Sequence, residues 1–473
     1  MQSNLHKIKK GLDIHIPGTA EKVLTVLPEA GEYAVKPTDY IGVAPRLLVA
    51  EGDTVEAGSP LFEDKNNEGV PFVSPVSGIV KAVVRGEKRA LLAVVVVSDG
   101  KRQAASGRPG TENDPDGIRE TILKTGLWNL LRQRPFGIVP RKDSRPKALF
   151  VTLFDSSPLP VDMDFILQGR EEDFRHGLEV LAKIAGPVHL AFNGNSQRES
   201  KLKSDNPKIS NHFFAGPHPA GLVGTHISLI SPINKGETVW TVNAQDVATI
   251  GHYFATGEYY PLRTVALCGP CVYNPQYYQV LDGANIGEIT GGLLLPENSE
   301  TGHLRIICGD VLSGTSVDDD GYLSAGCDKI SVIPEGDYYD FMGWLRPNFK
   351  KFSFSRTFLS GHLSKLLCHR SPATGRQSLI TNHDSLFTID TGIHGSVRPL
   401  FVTGEFEKLV PLDIYPMQLI KACIVGDVEQ MEELGIYEVE PEDLALCEFA
   451  DTSKTEIQTI VRNALEKLRK ECI

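Results

Sequence analysis

Cys268 and Cys271 stand in a Cys-Gly-Pro-Cys arrangement, the spacing at which one thiolate attacks a disulfide and its neighbour resolves the product. Such a couple needs a helix start behind it. The chain continues instead through Pro275 and a tyrosine-rich stretch with no long amphipathic pattern, and no second cysteine pair stands at zinc-ribbon spacing. The expectation is a pair of half-buried loop cysteines. A second candidate is Gly216-Pro-His-Pro-Ala-Gly-Leu-Val-Gly-Thr-His226, where glycines let backbone approach a flat ligand or a phosphate. Its imidazoles, His218 and His226, are able to donate hydrogen bonds or exchange protons near neutral pH. The same pair also suits a packed structural turn. No Gly-x-Gly-x-x-Gly joins a strand to a helix between 148 and 257, so tight nicotinamide binding is not expected.

The elements that position these residues change character along the chain. Residues 10 to 98 are short strands broken by Gly and Pro, a compact β module. Val49 to Leu61 and Val73 to Val80 resemble the half-repeats of a biotinyl/lipoyl-type barrel-sandwich domain, which places Lys65 near the modified lysine of a carrier. Asn66-Asn-Glu-Gly69 lengthens that hairpin, so Lys65 is expected to be unmodified. A helical bridge follows, capped by Asp116 and ended by Gly126. Strands at 148–153, 188–192, 209–214 and 239–242 then alternate with helices at 171–185 and from Asn243 to Gly257, as in a Rossmann-like sheet. Short strands around a brief helix at 285–289 suggest a β-grasp module. The C-terminus is helical, its last helix opening on a capping box of Ser453 and Glu456 with the apolar stripe Ile457, Ile460, Val461, Ala464 and Leu468. The expectation is a multidomain α/β protein. It comprises a barrel-sandwich module over 1–105, a bridge over 106–145, a Rossmann-like α/β domain over 146–258, a β-grasp (SLBB-like) domain over 259–340, a basic, partly β segment over 341–404 and an acidic helical domain over 405–473.

The 473 residues carry a net charge of -12, which disfavours nucleic acid as a partner. The longest apolar run, Ala90 to Val97, is eight residues, far below the roughly 20 of a spanning helix. With no secretory signal in view, a cytoplasmic chain with reduced thiols is expected. The charge is unevenly spread. Phe341 to His383 contains seven basic residues and no acid, whereas Phe401 to Ser453 contains thirteen carboxylates against Lys408 and Lys421. Two solvated faces would explain this. So would docking of the basic run, with Lys350, Lys351 and Arg356 as candidates, on a partner or on anionic lipid headgroups.

The module order is similar to that of the flavoprotein subunit of respiratory complex I and of the C-subunit of the Rnf complex. Ile8-Lys-Lys-Gly-Leu-Asp13, Leu61-Phe-Glu-Asp-Lys-Asn-Asn67, Ser74-Pro-Val-Ser-Gly78, Gly126-Leu-Trp128, Arg134-Pro-Phe136, Phe214-Ala-Gly-Pro-His-Pro-Ala-Gly221, Val311-Leu-Ser-Gly314 and Asp443-Leu-Ala-Leu-Cys447 resemble the A-subunit of the Na+-translocating NADH:quinone reductases (Na+-NQR), over essentially the whole chain. The resemblance implies a peripheral cytoplasmic subunit of a six-subunit, redox-driven sodium pump at the bacterial inner membrane. Its partners would be five other subunits, chiefly membrane ones, and its part would be in ubiquinone reduction coupled to Na+ export, with the isolated chain inactive. Flavin-binding relatives carry a Gly-rich loop where this chain has Leu127 to Phe136, whose side chains fill the space that a flavin phosphate needs. Their tails carry cysteine quartets for iron–sulfur clusters, where this chain has only Cys423, Cys447 and Cys472. No tightly bound cofactor and no metal is therefore expected here; flavins and iron–sulfur centres would lie on other subunits. Ubiquinone is the expected ligand, with Tyr40, Phe136 and His218 as contact candidates by ring stacking or hydrogen bonding, although each also fits core packing. Two alternatives are a purely structural docking subunit with no quinone contact, and a flavin- or NADH-binding enzyme acting alone.

Overall fold

A computed structural model describes residues 4–101, 114–197, 199–297, 302–338, 354, 389–392 and 398–472. Its organising element is a six-stranded sheet in the order Leu5–Lys7, Ile209–Ala215, Val188–Asn193, Leu149–Thr152, Val239–Asn243, Leu131–Arg134. All neighbours are parallel except the last pair. From Leu149–Thr152 the chain moves outward through the Val188 and Ile209 strands, then returns to add Val239–Asn243 on the opposite side. That reversal makes a topological switch point, the place where α/β sheets bind ligands beyond their strand ends. Helix Glu171–Ile184 buries Phe174, Leu178, Leu181 and Ile184, the 3.6-residue stripe that its sequence shows. Helix Ala244–Thr256 is capped by Asn243, which accepts from the Gln245 amide, and Gly257 ends it.

The β-grasp sheet runs Thr315–Val317, Leu304–Cys308, Lys329–Pro334, Leu262–Cys268, Gln276–Leu281, Glu21–Val26. The barrel-sandwich module pairs a four-stranded sheet with a three-stranded one. The N-terminal segment laces two of the units together, because Leu5–Lys7 edges the Rossmann-like sheet and Glu21–Val26 edges the β-grasp sheet. Two glycines permit the threading. A Cβ on Gly11, at φ +133°, would sit 2.0 Å from the His218 carbonyl oxygen, and one on Gly18, at φ +91°, would sit 2.2 Å from that of Gly269.

Two caps differ from expectation. The bridge helix Pro115–Lys124 is capped by Asp114, not Asp116: Pro115 presets the first helical position and Asp114 accepts from the Asp116 amide. The last helix, Ile457–Cys472, does not start on Ser453. Asp451 captures the amides of Ser453 and Thr455 in a turn, and the Ser453 hydroxyl donates to the Pro399 carbonyl at 2.7 Å. Glu448 accepts from the Gln458 amide in its place. An aspartate turn has outcompeted the serine cap. The apolar stripe of this helix is buried as expected at Ile457, Val461, Ala464 and Leu468.

Candidate functional site

Beyond the carboxyl ends of Leu149–Thr152 and Val239–Asn243 lies a cleft of about 410 Å³ whose walls include Phe150, Phe154, Thr241, Asp155, Asp310 and Lys329. The loop leaving the first strand, Asp155-Ser-Ser-Pro-Leu159, supplies its floor. Lys329, at the start of a β-grasp strand, reaches across to it. Its ammonium donates to Asp155 at 2.7 Å, to the Ser157 hydroxyl at 2.6 Å and to the Leu159 carbonyl at 3.2 Å. Asp155 in turn accepts from the Ser157 and Val161 amides. Burial opposes the Lys329 charge, yet Asp155 and Asp310 outweigh it and hold the ammonium above its ordinary pKa; the lysine is therefore charged, and its donors are engaged.

Asp328 and Glu442 also line this lobe, so four carboxylates face one already neutralised ammonium. A phosphate or pyrophosphate entering here would meet net repulsion. A neutral planar ring is not so excluded. Beneath the lobe Asp328 accepts from Asn243, Gln245 and the buried Arg263, which also binds Asp246 and lies 3.6 Å from Asp282. Burial pushes the Asp282 carboxyl up to about 6. An adjoining lobe of about 720 Å³ shares Gly309, Asp310, Gly326, Cys327 and Glu442 and adds Lys36, Arg132 and Cys308.

None of the three quinone candidates lines the cleft; His218 lies nearest, behind the loop that carries Asp155. It is 3% exposed, and its Nδ1 pairs with the Ser156 hydroxyl at 3.1 Å, one residue from Asp155. Burial lowers its pKa, so the ring is neutral. Tyr40 packs edge-on against Phe72 with the Arg132 guanidinium over its ring, beside a space of about 40 Å³, too small for a quinone ring. Phe136 is buried against Tyr437 in the core of the helical tail. The three share no site. His226 is wholly buried between Thr152, the Ala220 carbonyl and Phe214. Lys350, Lys351 and Arg356 lie outside the described residues.

Cys268 and Cys271 are buried, and burial raises both thiols to about 11, so this pair has no thiolate character near neutral pH. Leu127 to Arg134 forms a 3-10 turn and a sheet strand with Leu127, Trp128 and Leu131 wholly buried. Lys65 is exposed, but Asn67 two residues on bonds the Pro140 carbonyl and the Lys142 amide, and its hairpin is thereby fastened to the bridge. Sequence reasoning missed Asp155, Lys329 and Cys308. Only the position of Asp155 just beyond a parallel strand could have flagged the first.

The N-terminal residues 6–99 match the family model described as the NqrA N-terminal barrel-sandwich hybrid domain, residues 113–259 the NqrA second alpha/beta domain, and residues 264–319 the NQRA C-terminal domain. Over 471 residues, 98% of this chain and 99% of the relative, the sequence is 37% identical to the A-subunit of Na(+)-translocating NADH-quinone reductase from Haemophilus influenzae strain PittGG. It is 38% identical, over the same shares, to the protein of that name from Neisseria meningitidis serogroup A. An NAD+-reducing nickel–iron hydrogenase overlays 76% of this chain at 14% identity and a TM-score of 0.36, with this chain spanning 62% of that one; so distant an overlay carries no argument.

Proposed function

We infer the function from one premise: the chain belongs to the NqrA family, the A-subunit of the Na(+)-translocating NADH-quinone reductases. It is a subunit of an oxidoreductase complex, and among the described residues no helix is long and apolar enough to cross a membrane. We propose that it sits peripherally on the cytoplasmic side of the bacterial inner membrane. There it docks on membrane subunits, chiefly, of a six-subunit pump and takes part in ubiquinone reduction coupled to Na+ export. Flavins and iron–sulfur centres belong, on this reading, to the five partners.

The quinone reading rests on the inner lobe. It has an aromatic wall, Phe150 and Phe154, with His218 behind Ser156, and a volume that accepts a benzoquinone ring but an acidic lining that repels phosphate. Docking without quinone contact is favoured by one observation, that the Lys329 donors are already spent on Asp155, Ser157 and Leu159. Titration of the full chain with a short-chain ubiquinone, followed through Trp240 beside the lobe-lining Thr241, separates the two. Saturable quenching that Phe154→Ala weakens, and that flavin mononucleotide does not reproduce, is expected. No saturable quenching, from a chain that still restores turnover to a complex lacking it, would leave docking as its role.

A further inference from the structure

The strand Leu304–Cys308 and the turn before Lys329–Pro334 bring together two thiols that do not belong to the Cys-Gly-Pro-Cys motif. The Cys327 sulfur lies 2.9 Å from the Lys329 carbonyl oxygen, and the amide of Gly309, next to Cys308, donates to that same oxygen at 2.8 Å. Both cysteines are thereby gathered around one carbonyl oxygen. Both cysteines are free and, at 5% and 7% exposed, both form part of the wall of the outer lobe. The surroundings of Cys308 favour a thiolate. Ser324 and the Lys36 ammonium, which lies 2.9 Å from the Ser324 hydroxyl, add hydrogen bonding and positive charge that favour the thiolate. Hydrogen bonding from Cys327 comes first among the causes that bring the Cys308 thiol down to about 7. Burial pushes Cys268, Cys271 and Cys423 the opposite way.

We propose that Cys308 and Cys327 form a peroxide-sensitive dithiol in which Cys308 is the attacking thiolate and Cys327 the resolving thiol. In the first step the Cys308 sulfur takes one oxygen from hydrogen peroxide, the O–O bond breaks, one water leaves, and Cys308 becomes a sulfenic acid. In the second, the Cys327 sulfur attacks the sulfenic sulfur, the S–O bond breaks and a second water leaves. The sum is two thiols and one hydrogen peroxide giving one disulfide and two waters. The product ties the end of a β-grasp strand to the turn carrying Asp328 and Lys329, so oxidation acts on the residues that shape the inner lobe.

Peptide mapping of the full, native chain under non-reducing conditions tests this after brief exposure to hydrogen peroxide. A linked Cys308–Cys327 peptide is expected, with Cys268, Cys271, Cys423 and Cys447 still alkylatable after denaturation. Without peroxide, native iodoacetamide labelling at pH 7 should favour Cys308 over Cys423 by roughly tenfold or more, following thiolate fraction, with a pH midpoint near 7. In Cys327→Ser the sulfenic acid should persist on Cys308 and be captured by dimedone. Absence of the linked peptide, or Cys308 labelling no faster than Cys423, would overturn the proposal.

Discussion

The Arg134 guanidinium meets the Asp443 carboxylate at 2.8 Å, across 309 residues of chain, with their side chains 5% and 0% exposed. Arg134 also binds Glu442, Asp443 accepts from the Glu440 amide, and Arg462 closes the cluster on Glu440 at 2.8 Å. Two of the thirteen carboxylates of the acidic tail, Glu440 and Asp443, are thus internal partners of the bridge and the last helix, and are not a docking surface. Removing one member of a buried pair strands the other. Arg134→Leu should therefore lower unfolding stability by about 3–5 kcal/mol, as a shift in the urea midpoint. A shift no larger than that of an exposed control such as Lys101→Leu would mean that the pair is not a clamp.

Glu440 in this cluster gives stability a pH dependence of defined sign. Burial raises its carboxyl from 4.5 to about 7, so between those values the folded chain keeps a proton that the unfolded chain has released. The contribution to stability falls as pH rises from about 4.5 to about 7 and is level above. Glu440→Gln cannot titrate. Chemical denaturation of both proteins from pH 4.5 to 8 should show the variant gaining on the wild type across that window, and a constant gap would refute the shift.

Long periodic elements were legible in the sequence: helix Glu171–Ile184 and the stripe of the last helix follow directly from apolar spacing. Leu5–Lys7 was not, since three residues show no period. Nor was the cleft. Lys329 and Asp155 are 174 residues apart, and neither has a motif around it; their meeting depends on which strand the sheet order places beside which. The visible motif, Cys268 to Cys271, proved inert because its thiols are buried without a positive neighbour strong enough to offset that burial. Cys308, whose thiol is instead brought down, meets Cys327 through folding alone.

The basic run offers a prediction that depends on charge only. If Lys350, Lys351 and Arg356 steer docking, reversing all three to Glu should weaken co-purification with the membrane subunits while leaving the chain folded, because exposed charges contribute little to stability but much to association. The defect should be largest at low salt and shrink as the Debye length falls from about 10 Å at 0.1 M to about 3 Å at 1 M. Co-purification unchanged at low salt would make the run an ordinary solvated face.

Lys329 and Asp155 permit a sharper separation of fold from function. Lys329 is 6% exposed and Asp155 accepts two loop amides besides the ammonium, so Lys329→Met leaves a carboxylate in a site whose other neighbours, Asp310 and Glu442, are also acidic. A loss of about 3–5 kcal/mol is expected. Asp155→Asn keeps an acceptor for those amides without the charge, so the double variant should lose less than the sum of the two single variants, by an interaction energy of about 1–3 kcal/mol in a double-mutant cycle. Ubiquinone titration of the double variant then reads the lobe without the ion pair. Additive losses, with no coupling between the two sites, would mean that the contact across the cleft contributes nothing, and the strut between the Rossmann-like and β-grasp units would have to be sought in Arg263 and its aspartates.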